Sequence, residues 1–176
     1  ILQYGSTIEE DNAIVQTRKP FVSESILVGP DKDGRAAIIE KSPKDMGLFE
    51  SFDGKVIWTN HFQSDEFKDD KPNIEIIETT DTYYRYQRVE ELLQNEEPID
   101  EKKAAYILRN RMGLNNAELG LSNEMAINQY IAHHSVIFKP EERIMWVSTP
   151  PWHSGSYVAY DLNKIFNGNV DFSQEI

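Results

Sequence analysis

The chain has 176 residues, enough for one ordinary domain with a real core, and 39% hydrophobic residues with 8 Tyr, 8 Phe and 3 Trp argue against disorder over most of its length. A net charge of −12 argues against nucleic acid, whose phosphates would be repelled, and against docking on an anionic membrane surface. No run approaches the roughly 18 apolar residues of a membrane helix, and the absence of cysteine removes disulfides, Cys-based zinc sites and a cysteine nucleophile from this chain.

The chain opens at Ile1 within what reads as an element, without a signal sequence, and is expected to be a piece of a longer protein. Ser6-Thr7-Ile8-Glu9-Glu10 puts Thr7 at an N-cap with Glu10 three residues on, a capping box. The helix that follows turns Ile8, Ile14 and Val15 inward and stops before Pro20. Phe21 to Val28 and Ala36 to Glu40 read as strands joined by the turn chemistry of Pro30 to Gly34. Lys41-Ser42-Pro43 breaks the second strand, and Leu48 to Phe52, Asp53-Gly54 and Lys55 to Thr59 read as another hairpin. Four sequential strands joined by tight turns imply an antiparallel sheet.

Val56-Ile57-Trp58-Thr59 is buried-strand chemistry that runs directly into Asn60-His61-Phe62. A strand end is a rigid place for a side-chain amide, although Asn60 is equally suited to bonding the turn that follows. Gln63 to Asp81 reads as a polar, solvated loop. Thr82 to Leu93 reads as a helix capped by Thr82, with Arg85 and Arg88 in its first turns, where the helix's partial positive charge makes a cation unexpected. A second helix starts at Pro98-Ile99-Asp100 with Asp100 as cap and Ala104, Ala105, Ile107 and Leu108 inside.

The strand pattern returns from Ile127, with a hairpin from Ser135 to Val147 turning at Lys139 to Glu142. A rigid loop from Pro150 to Gly155 leads to a last strand, Tyr157 to Tyr160, and a short helix or turn at Asp161 to Phe166. Helices and strands in separate blocks give an α+β fold. One domain over 1–166 with a tail over 167–176 is expected.

No serine lies in a Gly-x-Ser-x-Gly elbow and no Gly-rich phosphate loop occurs. Of the four histidines, His133 and His134 would be adjacent on a strand and point to opposite faces, so no metal is expected, and no cofactor. What remains is Asn60, Arg85 and the aromatic set Trp58, Phe62, Tyr83, Tyr84 and Tyr86. A fixed Asn amide donates to a developing oxyanion, the role acyl transfer requires. A buried Arg lowers a nucleophile's pKa or holds a carboxylate, and aromatic walls suit an acyl or bile-acid-like group. The attacking atom is missing from this set. The same residues are open to a plainer reading, as core and satisfied polar groups of a non-catalytic α+β binding or scaffold domain.

Six stretches, in order, carry a family resemblance: Ala36 to Pro43; Thr59-Asn60-His61-Phe62; Thr82-Tyr83-Tyr84-Arg85-Tyr86; His134 to Phe138; Trp146-Val147-Ser148; and Tyr157 to Leu162. With them the chain resembles the C-terminal part of the acyl-coenzyme A:6-aminopenicillanic acid acyltransferase family, relatives of the choloylglycine hydrolases. The resemblance implies an N-terminal-nucleophile αββα sandwich whose nucleophile is a cysteine exposed by autocleavage, its own α-amino group serving as base. It puts Asn60 at the oxyanion-hole asparagine and Arg85 near the nucleophile, with His61 and Phe62 flanking the pocket. It implies a small-molecule amide or acyl substrate and, because this chain has no cysteine, a partner in the missing N-terminal half of the same protein. Position 82 departs from the family pattern, holding Thr where Ser is expected.

Overall fold

A computed structural model describes residues 4–29, 34–51, 54–94, 98–120, 122–151 and 154–168. The expected turn at Pro30 to Asp33, the Phe52-Asp53 part of the second turn, Trp152 and His153 of the Pro-rich loop, and the tail from 169 lie outside these residues. The fold is mixed α+β, with two antiparallel three-stranded sheets and their helices. Within the span read as one domain, the chain divides into two compact units, Ile1–Tyr83 and Tyr84–Ile176.

In the first unit, Thr7 caps helix α1 (Ile8–Gln16) by accepting the Glu10 N–H, while the Glu10 carboxylate accepts from Ser6, one residue outside the cap. The sheet runs β1 (Glu24–Val28), β2 (Ala37–Lys41), β3 (Met46–Glu50) in that order. Ile8 and Val15 of α1 pack with Val28, Ala37 and Ile39, and Ile26, Met46 and Leu48 extend that core. Strand β2 is buried along its whole length, so both faces of its pleat are covered. Lys41 ends it with its ammonium donated to the carbonyl of Val15 in the last turn of α1, the end of a helix that favours a cation.

Two expectations fail here. Lys55 to Thr59 forms no strand, and β3 pairs instead with β2, Glu40 opposite Gly47. Ser42, read as part of a strand break, is the hinge of that hairpin: its hydroxyl accepts from Lys44 and Asp45. Among the described residues β3 is an edge strand, and the 55–59 run does not pair with its open side; Trp58 stays 43% exposed. The loop expected from Gln63 to Asp81 contains a helix, α2 (Lys71–Thr79), capped by Asp70 and carrying Pro72 in its first turn, where proline's missing N–H costs nothing.

Asp11 on α1 is 6% exposed, and its Oδ1 is buried without a hydrogen-bond partner among the described residues. Burial pushes its carboxyl above the usual aspartate range. A raised native pKa means that the fold favours the protonated acid: that contribution is complete below the ordinary aspartate pKa and is lost as pH rises through the raised value. Asp11→Asn should therefore raise the melting temperature at pH 7, with the gain shrinking towards about pH 3, below the ordinary aspartate value. Melting curves of both proteins at the two pH values check this.

The second unit takes up α3 (Thr82–Leu93) from its third residue. Helix α4 (Glu101–Leu108) is capped by Asp100, whose carboxylate accepts the Lys103 N–H at 2.7 Å. Strands β4 (Val136–Lys139), β5 (Ile144–Ser148) and β6 (Tyr157–Asp161) form the second sheet in chain order. Its core joins Ala105 of α4 to Ile137, Trp146 and Tyr157. Asp161 then caps α5 (Leu162–Phe166). The strand begins at Val136, nine residues later than the pattern from Ile127 implied, so His133 and His134 precede it as exposed residues and do not share a strand.

Candidate functional site

The stretch from Thr59 to Ser64 has neither helical nor strand backbone, so its main-chain donors need partners elsewhere. Buried or partly buried side chains from three elements supply them. The Asn60 N–H donates to the Thr82 hydroxyl at 2.7 Å. Thr82 is fully buried, and its Oγ1 also lies 2.9 Å from the Thr59 hydroxyl and 3.1 Å from His61 Nδ1. Its hydroxyl was expected to cap α3; it is instead the hub of the Asn60 loop, and the helix begins with Thr82 itself.

Phe62 is held at two points by one side chain. Asn73 accepts the Phe62 N–H on Oδ1 at 2.8 Å and donates Nδ2 to the Phe62 carbonyl at 3.0 Å. Asn73 is 5% exposed and sits in the first turn of α2, where its own N–H is taken by the Asp70 cap. The Phe62 ring packs on Phe67, centroids 4.2 Å apart.

The third clamp is Glu40, in the middle of the sheet and fully buried. Its Oε1 accepts the Gln63 N–H at 2.7 Å; its Oε2 accepts the Ser64 N–H at 2.9 Å and the Ser64 hydroxyl at 2.7 Å. Three donors satisfy a carboxylate that burial alone would penalise heavily. Gly47 makes the approach possible: a Cβ there would lie 2.0 Å from Ser64 Oγ and 2.9 Å from Glu66 Oε2.

This loop forms one wall of a cleft of about 380 Å³ within the first unit, a size suited to a small-molecule site. Trp58, Asn60 and Phe62 face Ser25 of β1 and Asp70, Asn73 and Ile76 around the start of α2. The Ser25 hydroxyl is buried without a partner among the described residues. The lining thus combines aromatic and aliphatic surface with two side-chain amides (Asn60, Asn73), two hydroxyls (Ser23, Ser25) and two carboxylates (Glu24, Asp70).

Of the four residues expected at the site, Asn60 and Phe62 line this cleft, and Asn60 is exposed there. His61 is 6% exposed and takes no part in the lining; it is buried with the hub, its ring edge-on to Tyr83 at 6.1 Å. Arg85 belongs to the second unit, where its guanidinium donates to the Glu124 carbonyl at 2.6 Å. Asn73 and Glu40 were missed as site residues. Asn73 had a visible signal in the Asp70-x-Pro72-Asn73 helix start, whereas the partners of Glu40 come from a loop no local pattern connects to it.

In the second unit, Arg88 is 1% exposed and donates to Asn110, Glu91 and Asn116 at 3.3, 2.8 and 2.8 Å. It secures a loop in which Asn115 and Asn116 take left-handed conformations (φ 53° and 59°), tolerated by asparagine better than by most residues. Among the described residues no three His, Cys, Asp or Glu side chains are placed to hold a metal ion, and no helix is long and apolar enough to cross a membrane.

Compared with family models, curated proteins and solved structures, the chain matches none.

Proposed function

We propose that the chain is the C-terminal portion of an N-terminal-nucleophile amidohydrolase or acyltransferase that acts on carbon–nitrogen amide bonds of small molecules. Penicillin-type acyl amides, N-acyl amino acids and bile-salt-like conjugates are the candidate substrates. The observation that carries the reading is the build of the Asn60 loop: an exposed amide in a small-molecule-sized cleft, on a backbone fixed by Thr82, Asn73 and Glu40. Catalytic donors have to be held before the reaction begins, and buried second partners are how proteins hold them.

In this reading the other half of the protein completes the αββα sandwich and carries the nucleophilic cysteine, so this chain alone is inactive. The cysteine sulfur attacks the substrate carbonyl carbon, its proton passing to the α-amino group. Asn60 donates to the oxygen as it becomes negative. Collapse of the intermediate breaks the carbon–nitrogen bond, the ammonium returns its proton to the leaving amine, and water or an acceptor amine removes the acyl group from sulfur. Phe62 and Trp58 give the acyl chain an apolar wall. Arg85 has the role of steadying the nucleophile or a substrate carboxylate.

N-terminal sequencing of the mature full-length protein tests the first step. A new chain that starts with cysteine, upstream of Ile1, is the expected result; an uncleaved protein, or one cleaved before another residue, would overturn the reading. The engagement of Arg85 with the Glu124 carbonyl favours a second reading, a non-catalytic α+β binding domain. In that case the cleft binds a small molecule that leaves unchanged.

A further inference from the structure

We propose that Glu40 is a positioning residue for Asn60, an inference that rests on Asn60 being the oxyanion donor. Glu40 is fully buried and absent from the cleft lining, so it touches no substrate; whatever it does for the site it does through the loop. Its place is set by the sheet, with Ser25 and Gly47 as its cross-strand neighbours. From there it grips the chain at Gln63 and Ser64, three and four residues beyond Asn60.

The chemistry of the grip requires a carboxylate. Both oxygens receive donors, one from Gln63 and two from Ser64. A glutamine offers one acceptor oxygen and one NH₂, so in either orientation of its amide a donor would face a donor. An aspartate is one methylene too short. Between Glu40 and the hub at Thr82, four main-chain donors (Asn60, Phe62, Gln63 and Ser64) end on side chains. The run has no helical or strand backbone, so these clamps, with the bond from the Gln63 side chain to the Ile57 carbonyl, hold the backbone that carries Asn60.

The experiment uses the processed full-length protein with Glu40→Gln and Ser64→Ala, each alone and combined with Asn60→Ala. Glu40→Gln is expected to lower kcat by about 10²-fold with KM nearly unchanged, the scale of a misplaced catalytic group. Ser64→Ala, which removes one bond of three and keeps the carboxylate, is expected to lower kcat about fivefold, a typical single hydrogen bond. Neither is expected to lower kcat further in the Asn60→Ala background, because the group being positioned is gone. Additive losses, an unchanged kcat, or an effect confined to KM would overturn the proposal.

Amide hydrogen exchange on the same proteins supplies a readout independent of turnover. Protection should fall at Asn60 as well as at Gln63 and Ser64; loss confined to the last two would overturn the positioning role. A wild-type protein that cleaves no amide would sink the enzymatic reading and leave the exchange result to decide whether Glu40 orders Asn60. Should Glu40→Gln fail to fold, Ser64→Ala decides both arms.

Discussion

Replacing Asn60 by alanine in the processed full-length protein is expected to cut turnover about 10²- to 10³-fold, the loss seen when one oxyanion donor is removed and equivalent to about 2.7–4 kcal/mol of transition-state stabilisation. The change is expected to leave the protein folded. The bond that Asn60 gives to Thr82 comes from its main-chain N–H, which alanine keeps, and its side chain is exposed at the cleft. Steady-state kinetics beside a thermal melt separates the two effects. A fall in kcat with an unchanged melting temperature identifies Asn60 as a group acting in the transition state; a tenfold or smaller loss, or a rise in KM alone, argues for a binding role only.

The largest effect on stability is expected at Arg88. Arg88→Ala removes the fully buried side chain that joins Asn110, Glu91 and Asn116; of the acceptors it leaves, Asn110 Oδ1 keeps the Met112 N–H, while Glu91 is partly exposed and Asn116 exposed. Deleting a large, fully buried side chain and leaving its space unfilled costs about 2–5 kcal/mol. Arg88→Met should fall between wild type and alanine, because it restores much of the volume and none of the hydrogen bonds. Denaturant unfolding measures the loss; a midpoint shift worth less than about 1 kcal/mol, the net value of a single hydrogen bond, would mean that Asn116 and Glu91 are not held by Arg88 in solution.

What could be read from the chain, and what could not, divides by range. Helices α1 and α4 were legible because their start signals are local: Thr7 with Glu10, and Asp100 after Pro98. The β1–β2 and β4–β5 hairpins were legible for the same reason, as apolar runs separated by turn residues. Helix α2 was hidden by its surroundings. Asp65-Glu66 and Asp69-Asp70 look like solvated surface, yet Asp70 is a cap and Pro72 a first-turn residue, so the start signal lay inside the charge run.

The second hairpin shows a different failure. Val56-Ile57-Trp58 has strand composition, but strand propensity depends on context, and the outer edge of β3 is left unpaired among the described residues. The Ser42 turn brings β3 to the open edge of β2, and the residues after Thr59 are used to cover the sheet face at Glu40 and Gly47. At the site, Asn60 and Phe62 were singled out, and both line the cleft. His61 turns inward because its Nδ1 finds Thr59 and Thr82, partners 2 and 21 residues away. Glu40 and Asn73, which fix the loop, bond across 23–24 and 11 residues, separations at which side-chain chemistry alone names no partner.

Acylation of a chain of this protein that starts with cysteine is the most direct test of amide-bond chemistry here. Intact-mass measurement of the mature full-length protein, after brief exposure to a penicillin, an N-acyl amino acid and a conjugated bile salt in turn, reads this out. The expected result is a transient gain equal to the acyl group on the chain that starts with cysteine, formed far more slowly when Asn60 is alanine. A protein that cleaves its own chain yet gains no acyl mass and releases no amine from any of the three would contradict the account.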